Sequence, residues 1–260
     1  MVSTRLQRKK ALVTGATSNI GRAIAIAFAT EGAHVIVSGR DIDRGALVVD
    51  DIRAAGGRAD FVAAHLDGSA QASGDLAAAA TRILDGRIDV LVNSAGIYPG
   101  STTAATDEAT FDEVYAVNVK APFFLTAAIA PAMAERGSGA IINLGSWIAR
   151  IGIPIGSLYS STKGAMETLT RAWSAEFGPA GVRVNAISPG VIKTPAPEQP
   201  SSADVDPAEM MMRGTPAGSS GTPDAIAYAA VYLASDEAAF VHGTVIDVDG
   251  GRVGVAVIAA

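Results

Sequence analysis

The chain has 260 residues, 49% of them hydrophobic and 18% charged, with a formal net charge of −6 at pH 7. This composition excludes a disordered polypeptide, and the acidic balance speaks against nucleic acid as a partner. Cysteine is absent, which excludes disulfides, thiolate metal sites and a cysteine nucleophile; His34, His65 and His242 have no metal-ligand spacing, so no metal is expected. The apolar run Ala11-Leu12-Val13 after the basic N-terminal residues is too short for a signal-peptide core. No transmembrane-length stretch is read anywhere, so the expectation is a soluble cytoplasmic protein with no membrane partner.

Taken in chain order, short apolar runs alternate with longer segments of helical character. Strands are predicted at Lys10–Thr14, His34–Ser38, Arg58–Ala63, Asp89–Asn93, Ala140–Leu144, Arg183–Ser188 and Thr244–Val248. Helices are predicted between them, at Ile20–Thr30, Ile42–Ala55, Gly74–Leu84, Thr110–Met133, Leu158–Phe177 and Pro223–Ala234. Strands without polar alternation, joined by helices, belong in a parallel sheet covered on both faces. The expected fold class is therefore α/β: a Rossmann-type doubly wound parallel sheet, three layers deep, as a single domain over residues 1–260. Its ligand crevice would lie at the carboxyl ends of the strands.

The first strand leads into Thr14-Gly15-Ala16-Thr17-Ser18-Asn19-Ile20-Gly21 and directly into a helix. Gly15 permits a tight turn, Gly21 permits close helix–strand packing, and the helix N-terminus offers N–H groups to a pyrophosphate. The second strand ends Val37-Ser38-Gly39-Arg40. A carboxylate at this point would bind a ribose 2′-hydroxyl; here Gly39 takes the acidic position, and the guanidinium of Arg40 suits a 2′-phosphate by charge and fork geometry. Asp41 and Asp43 are close enough that a shift of register would reverse this. NADP(H) is the expected cofactor, with NAD(H) as the alternative.

The stretch Gly156–Ala165 carries the chemistry. Ser157 is the expected N-cap of a helix that runs to Phe177 and stops at Gly178-Pro179. Tyr159 and Lys163 are i and i+4, on one face of it. An ammonium at ~4 Å, with an effective dielectric of ~20, would favour the phenolate by roughly 4 kcal/mol, or about 3 pKa units. The expectation is a phenol brought down toward 7, where a general acid or base works best.

With the glycine-rich loop and the Tyr–Lys pair both present, the chain resembles the short-chain dehydrogenase/reductase family over nearly its whole length, in the manner of its 3-oxoacyl-acyl-carrier-protein-reductase-like members. The loop is similar to the family's Thr-Gly-x-x-x-Gly-x-Gly. Asn93-Ser94-Ala95-Gly96 resembles its Asn-Asn-Ala-Gly segment, which borders the adenosine, and Leu66-Asp67 its adenine-contacting segment. Asn118 matches the helix asparagine, Ser146 the catalytic serine, and Tyr159 with Lys163 the catalytic pair. Pro189-Gly190-Val191-Ile192 with Thr194 resembles the segment that holds the nicotinamide carboxamide, and Gly243–Gly251 the closing signature. Two departures stand out. Asn19 replaces the middle glycine of the loop, where asparagine tolerates left-handed backbone better than most residues, and Ser94 replaces an asparagine.

The resemblance implies hydride transfer between a nicotinamide cofactor and a ketone or secondary alcohol. Tyr159 would be the general acid or base, Lys163 would lower its pKa and hold the nicotinamide ribose, and Ser146 would hydrogen-bond the carbonyl oxygen. Asn118 would anchor a water that relays protons to Lys163. The cofactor contacts implied are Gly15, Ser18, Asn19, Ile20, Gly21, Arg40, Asp67, Asn93, Ala95, Gly96, Tyr159, Lys163, Pro189, Gly190, Ile192 and Thr194. Other readings are an NAD-preferring alcohol dehydrogenase, a dehydratase or epimerase on the same fold, and a non-catalytic dinucleotide-binding sensor.

The substrate end is less specified. Residues 195–221 hold Pro195, Pro197, Pro200, Pro207 and Pro216 with Met210-Met211-Met212, which suggests a lid. Tyr98, Trp147, Ile148, Ile153 and Ile155 are candidates to line the pocket, and Arg150 and Arg213 could serve an acidic substrate. The tail Val253–Ala260 is apolar to its last residue. The family's habit of forming homotetramers would bury it; folding back on its own core is the alternative.

Overall fold

The structure is a computed structural model that describes residues 4–154, 156–193 and 206–256. Seven strands, β1 (Lys10–Val13), β2 (His34–Gly39), β3 (Arg58–Ala63), β4 (Val90–Asn93), β5 (Gly139–Leu144), β6 (Val182–Pro189) and β7 (Val245–Val248), form one sheet. Their order is β3-β2-β1-β4-β5-β6-β7, and every neighbouring pair is parallel. The central strands are buried on both faces, which is why their sequences run apolar without alternating. The chain reverses its direction of travel across the sheet between β1 and β4, and the crevice opens there.

Eight helices cover the sheet: α1 (Asn19–Thr30), α2 (Ile42–Ala54), α3 (Ala70–Ile83), α4 (Glu108–Tyr115), α5 (Ala121–Arg136), α6 (Ser157–Phe177), α7 (Pro207–Met212) and α8 (Pro223–Ala234). One apolar cluster joins α1, α2 and α8 to one face of the sheet, and a second joins α3, α5 and α6 to the other. The three-layer expectation holds. α5 ends where Gly137 takes a left-handed conformation, φ +75°, a common helix stop.

Three elements differ from the sequence reading. α3 begins at Ala70 rather than Gly74, because Ser69 caps it by accepting from the Ala72 N–H at 3.1 Å. α6 is capped by Gly156, not by Ser157, whose hydroxyl meets that of Thr103 at 2.9 Å. The single helix expected at 110–133 is α4 and α5 separated by a π-turn, Ala116–Lys120. Pro122 supplies a reason: it has no N–H to give the carbonyl of Asn118 four residues earlier. The continuous stretch Glu108–Arg136 is long and apolar enough to cross a membrane, contrary to the sequence reading, yet half of its apolar window is buried in the fold. That burial marks it as a core helix. Thr194, Ile155, most of the expected lid before α7 and the last four residues of the tail lie outside the described residues.

Candidate active site

The carboxyl ends of β1, β2, β4, β5 and β6 open into a cleft of about 680 Å³. Its floor is built by close backbone approach. Gly15, at φ +62°, lies so near β4 that a Cβ on it would sit 2.8 Å from the Ala95 Cα. A Cβ on Gly21 would sit 2.2 Å from the Gly15 carbonyl oxygen, so α1 can rest on this loop only through a glycine. Asn19 takes φ +46°, and the left-handed turn survives the loss of glycine as expected. Ser18 stands at the N-cap of α1, but its hydroxyl caps nothing, which leaves the first-turn N–H groups of α1 to an anion in the cleft. Thr14, quoted in the loop motif but given no role of its own by the sequence reading, locks the loop: its hydroxyl accepts from the N–H groups of Ser94 and Ala95 at 3.0 and 3.1 Å. This cradle fits a dinucleotide pyrophosphate.

Gly39, Arg40, Asp41 and Arg44 line the far end. Asp41 accepts from the Arg44 N–H at 2.9 Å and from its Nε at 2.7 Å, which caps α2 and holds the carboxyl below the usual carboxylate range. The acid that the sequence reading set against its NADP(H) expectation thus accepts its hydrogen bonds from the helix it begins. Arg44, one turn after Arg40, adds a second guanidinium that the strand-end motif alone did not reveal.

Ser146, Tyr159 and Lys163 meet in the middle of the cleft. Ser146 follows β5 and opens a single 3-10 turn, Trp147–Ala149; Tyr159 and Lys163 lie on the face of α6 that covers it. Lys163 is buried, and its ammonium donates to the Leu144 carbonyl at 2.8 Å. It sits 5.4 Å from the centre of the Tyr159 ring. The sequence expectation of a lowered phenol is corrected here. Burial pushes Tyr159 up to about 12, only partly offset by the Ser146 hydroxyl, and the neighbouring Tyr98 adds to the rise. Burial likewise brings Lys163 down to about 8. Both shifts favour the neutral forms, because the shared face that pairs the two groups also takes them out of water.

Three expected contacts fall outside the cleft wall. Asn93 is buried below it and donates to Asn143 at 2.9 Å, part of a polar chain that continues from Asn143 to Thr170 of α6 at 2.8 Å. Asp67 turns away to accept from the Ser69 N–H at 2.8 Å, and Ala64, His65 and Leu66 line the cleft in its place. Asn118 spends its amide on Ile97, accepting from its N–H at 2.8 Å and donating to its carbonyl at 2.9 Å, and on Thr162 at 3.2 Å. Its side chain therefore pins the Gly96–Ile97 segment that follows β4 and is not presented to the cleft. The other expected residues described here, Gly15, Ser18, Asn19, Ile20, Gly21, Arg40, Ala95, Gly96, Pro189, Gly190 and Ile192, do line it.

Comparison with known proteins accounts for this architecture. A family model described as enoyl-(acyl carrier protein) reductase matches residues 15–252. The chain belongs to the short-chain dehydrogenase/reductase family. It is 41% identical to galactitol 2-dehydrogenase (L-tagatose-forming) of Cereibacter sphaeroides, over 95% of this chain and 96% of that one. It is 34% identical to a 3-oxoacyl-acyl-carrier-protein reductase of Thermotoga maritima, over 96% and 99%. A solved 7α-hydroxysteroid dehydrogenase in complex with NADH and 7-oxo glycochenodeoxycholic acid superposes with a TM-score of 0.87, at 34% identity and 98% coverage of both chains. Family membership makes the chain an NAD(P)-dependent oxidoreductase acting on a small molecule.

The end of the cleft beyond Ser146 and Tyr159 carries apolar side chains. Tyr98, Trp147, Ile148 and Ile153 line it as expected, joined by Met211 of α7. The Tyr98 ring lies 4.7 Å from that of Tyr159, tilted by 53°. Neither Arg150 nor Arg213 reaches the cleft; Arg150 is paired with Asp247 instead. The sequence reading kept both in reserve for an acidic substrate; α7, which sets Met211 against the cleft, falls within the methionine-bearing stretch it expected as a lid.

Proposed function

We propose that this enzyme interconverts an uncharged ketone and its secondary alcohol, with NADP(H) preferred over NAD(H). The observation that carries the reading is the convergence of Ser146, Tyr159 and Lys163 on one point of an apolar cleft whose other end is a glycine-built phosphate cradle. When bound, the nicotinamide supplies or accepts the hydride. Tyr159, held protonated by burial, is the proton donor to the carbonyl oxygen in reduction and the acceptor in oxidation. Ser146 donates a hydrogen bond to the same oxygen as negative charge develops there. Lys163, fixed by Leu144, would hold the ribose of the bound cofactor and supplies positive charge beside the phenol. Asn118 is a positioning residue: it fixes Ile97 and Thr162, the neighbours of Gly96 in the segment after β4 and of Lys163 on α6.

The preference for NADP(H) is supported by Arg40 and Arg44 at the 2′ end of the cleft and by the engagement of Asp41 with α2. Preference for an uncharged substrate is supported by the apolar wall and the pairing of Arg150. A homotetramer in the cytoplasm completes the proposal, supported by exposed apolar side chains at Tyr228, Phe240 and Val255 near the chain's end; sedimentation of the purified protein tests it. The deciding experiment titrates the protein with NADPH and NADH, then assays a panel of cyclic and linear ketones with the tighter cofactor. Tighter binding of NADPH by about tenfold, with consumption matched by alcohol formed, is expected. Equal or tighter NADH binding would overturn the cofactor preference, and a product without redox change would overturn the reaction.

A further inference from the structure

The turn that carries Ser146 is held from outside the cleft by one stretch of chain, Asp247–Arg252. Trp147, buried next to Ser146, forms cleft wall, and the guanidinium of Arg252 lies 5.0 Å from its ring centre. At the end of the same turn, Arg150 reaches Asp247 with both terminal nitrogens, one of them at 2.9 Å, and its Nε stands 3.7 Å from Glu167 of α6. Arg252 is itself fixed in place. Buried Asp249 accepts from the N–H groups of Gly251 and Val253, each at 2.8 Å, and Gly250 and Gly251 supply the positive φ angles, +67° and +83°, that the turn needs. The turn also presses on the Pro189–Ile192 segment, where a Cβ on Gly190 would sit 2.5 Å from the Asp249 Cα.

Arg252, Asp249 and Asp247 do not line the cleft, yet the first and last of them hold the residue beside Ser146 and the residue that ends its turn. A guanidinium seated on an indole face fixes both the position and the orientation of the ring. We propose that Arg252 is a positioning residue for the substrate wall: it immobilises the Trp147 indole against which the substituents of the carbonyl substrate pack, while Arg150 and Asp247 close the other end of the turn. The role in specificity rests on reading the Ser146 cleft as the ketone site; the immobilisation itself is measurable without turnover.

The chain has two tryptophans, so a Trp173→Phe background leaves Trp147 as the sole reporter. In that background Arg252→Met removes the charge and the fork while keeping an unbranched chain. The expected result is a rise in acrylamide quenching of Trp147 by about twofold or more and a fall in its anisotropy, both largely restored by Arg252→Lys, with NADPH affinity retained within about threefold. With the ketone that the wild-type enzyme reduces best, KM should rise about fivefold and kcat should change less than about twofold. Unchanged quenching and anisotropy in Arg252→Met would overturn the proposal, as would losses of cofactor affinity and melting temperature that Arg252→Lys does not reverse. Should Arg252→Met fail to fold, Arg252→Gln carries the same measurements. If the wild-type enzyme reduces no ketone, the proposed function fails, while the Trp147 measurements still decide whether Arg252 holds the indole.

Discussion

At one end of the cleft the cradle beside α1 is built of main chain, and at the other end the wall is built of side chains. Gly15, Gly21 and Asn19 shape the first by letting backbone approach backbone, and at Gly21 any side chain would collide with a carbonyl oxygen. Tyr98, Trp147, Ile153 and Met211 shape the second, arriving from three separate segments and needing only to be apolar and of suitable size. A backbone cradle leaves almost no choice of residue, so it is written into the sequence as glycines at fixed spacing. A side-chain wall leaves wide choice, so its sequence trace is faint and its selectivity can change with few substitutions.

Substitutions at each end should separate the two. The largest effect is expected between them: Tyr159→Phe should lower turnover about 10³-fold or more and leave cofactor affinity within about tenfold, measured by steady-state rates and NADPH titration. Retained activity would remove Tyr159 as the proton donor. Gly21→Ala should weaken NADPH binding about 10²-fold and destabilise the fold by about 1–3 kcal/mol in a urea melt, because the new Cβ meets the Gly15 carbonyl. A silent Gly21→Ala would mean that the loop is more compliant than its geometry indicates.

Smaller effects sharpen the contrast. Arg40→Ala should weaken NADPH about tenfold with NADH unchanged; an equal loss for both would move the role of Arg40 from phosphate recognition to folding. Alcohol oxidation should accelerate from pH 7 to pH 9 and reduction should not, because the base form required for oxidation is disfavoured by burial of Tyr159. Lys163 gives a stability test with a defined sign. Its folded value, about 8, lies below the 10.5 of the free group, so between these values the unfolded chain holds a proton that the folded chain does not. The wild-type protein should therefore gain stability relative to Lys163→Met as pH rises from 8 to 10.5, by an amount on the order of 3 kcal/mol. A flat difference would show that Lys163 keeps its ordinary proton affinity. The smallest effect is expected of Met211→Ala, about a threefold rise in ketone KM with NADPH binding unaltered.

The sequence by itself determined the sheet, the placement of most helices, the glycine cradle and the pairing of Tyr159 with Lys163. Each of these follows from short-range constraints: apolar runs that must be covered, a turn that needs positive φ, and two side chains one helical turn apart; Ser146 is singled out only by the family resemblance. Only the tertiary structure decided what those residues experience. Spacing placed Lys163 beside Tyr159 but could not show that Leu144 would take its ammonium, nor that burial would raise the phenol rather than lower it. Asn93, Asp67 and Asn118 carry the right residue types, yet the side-chain hydrogen bonds they make run to Asn143, Ser69 and Ile97, partners set by how strands and loops come together. The same holds for Arg150 and Arg252, which meet Asp247 and the Trp147 ring across about 100 residues of intervening chain. Local sequence fixes which groups are available, whereas desolvation and long-range pairing depend on distances that exist only once the chain has closed on itself.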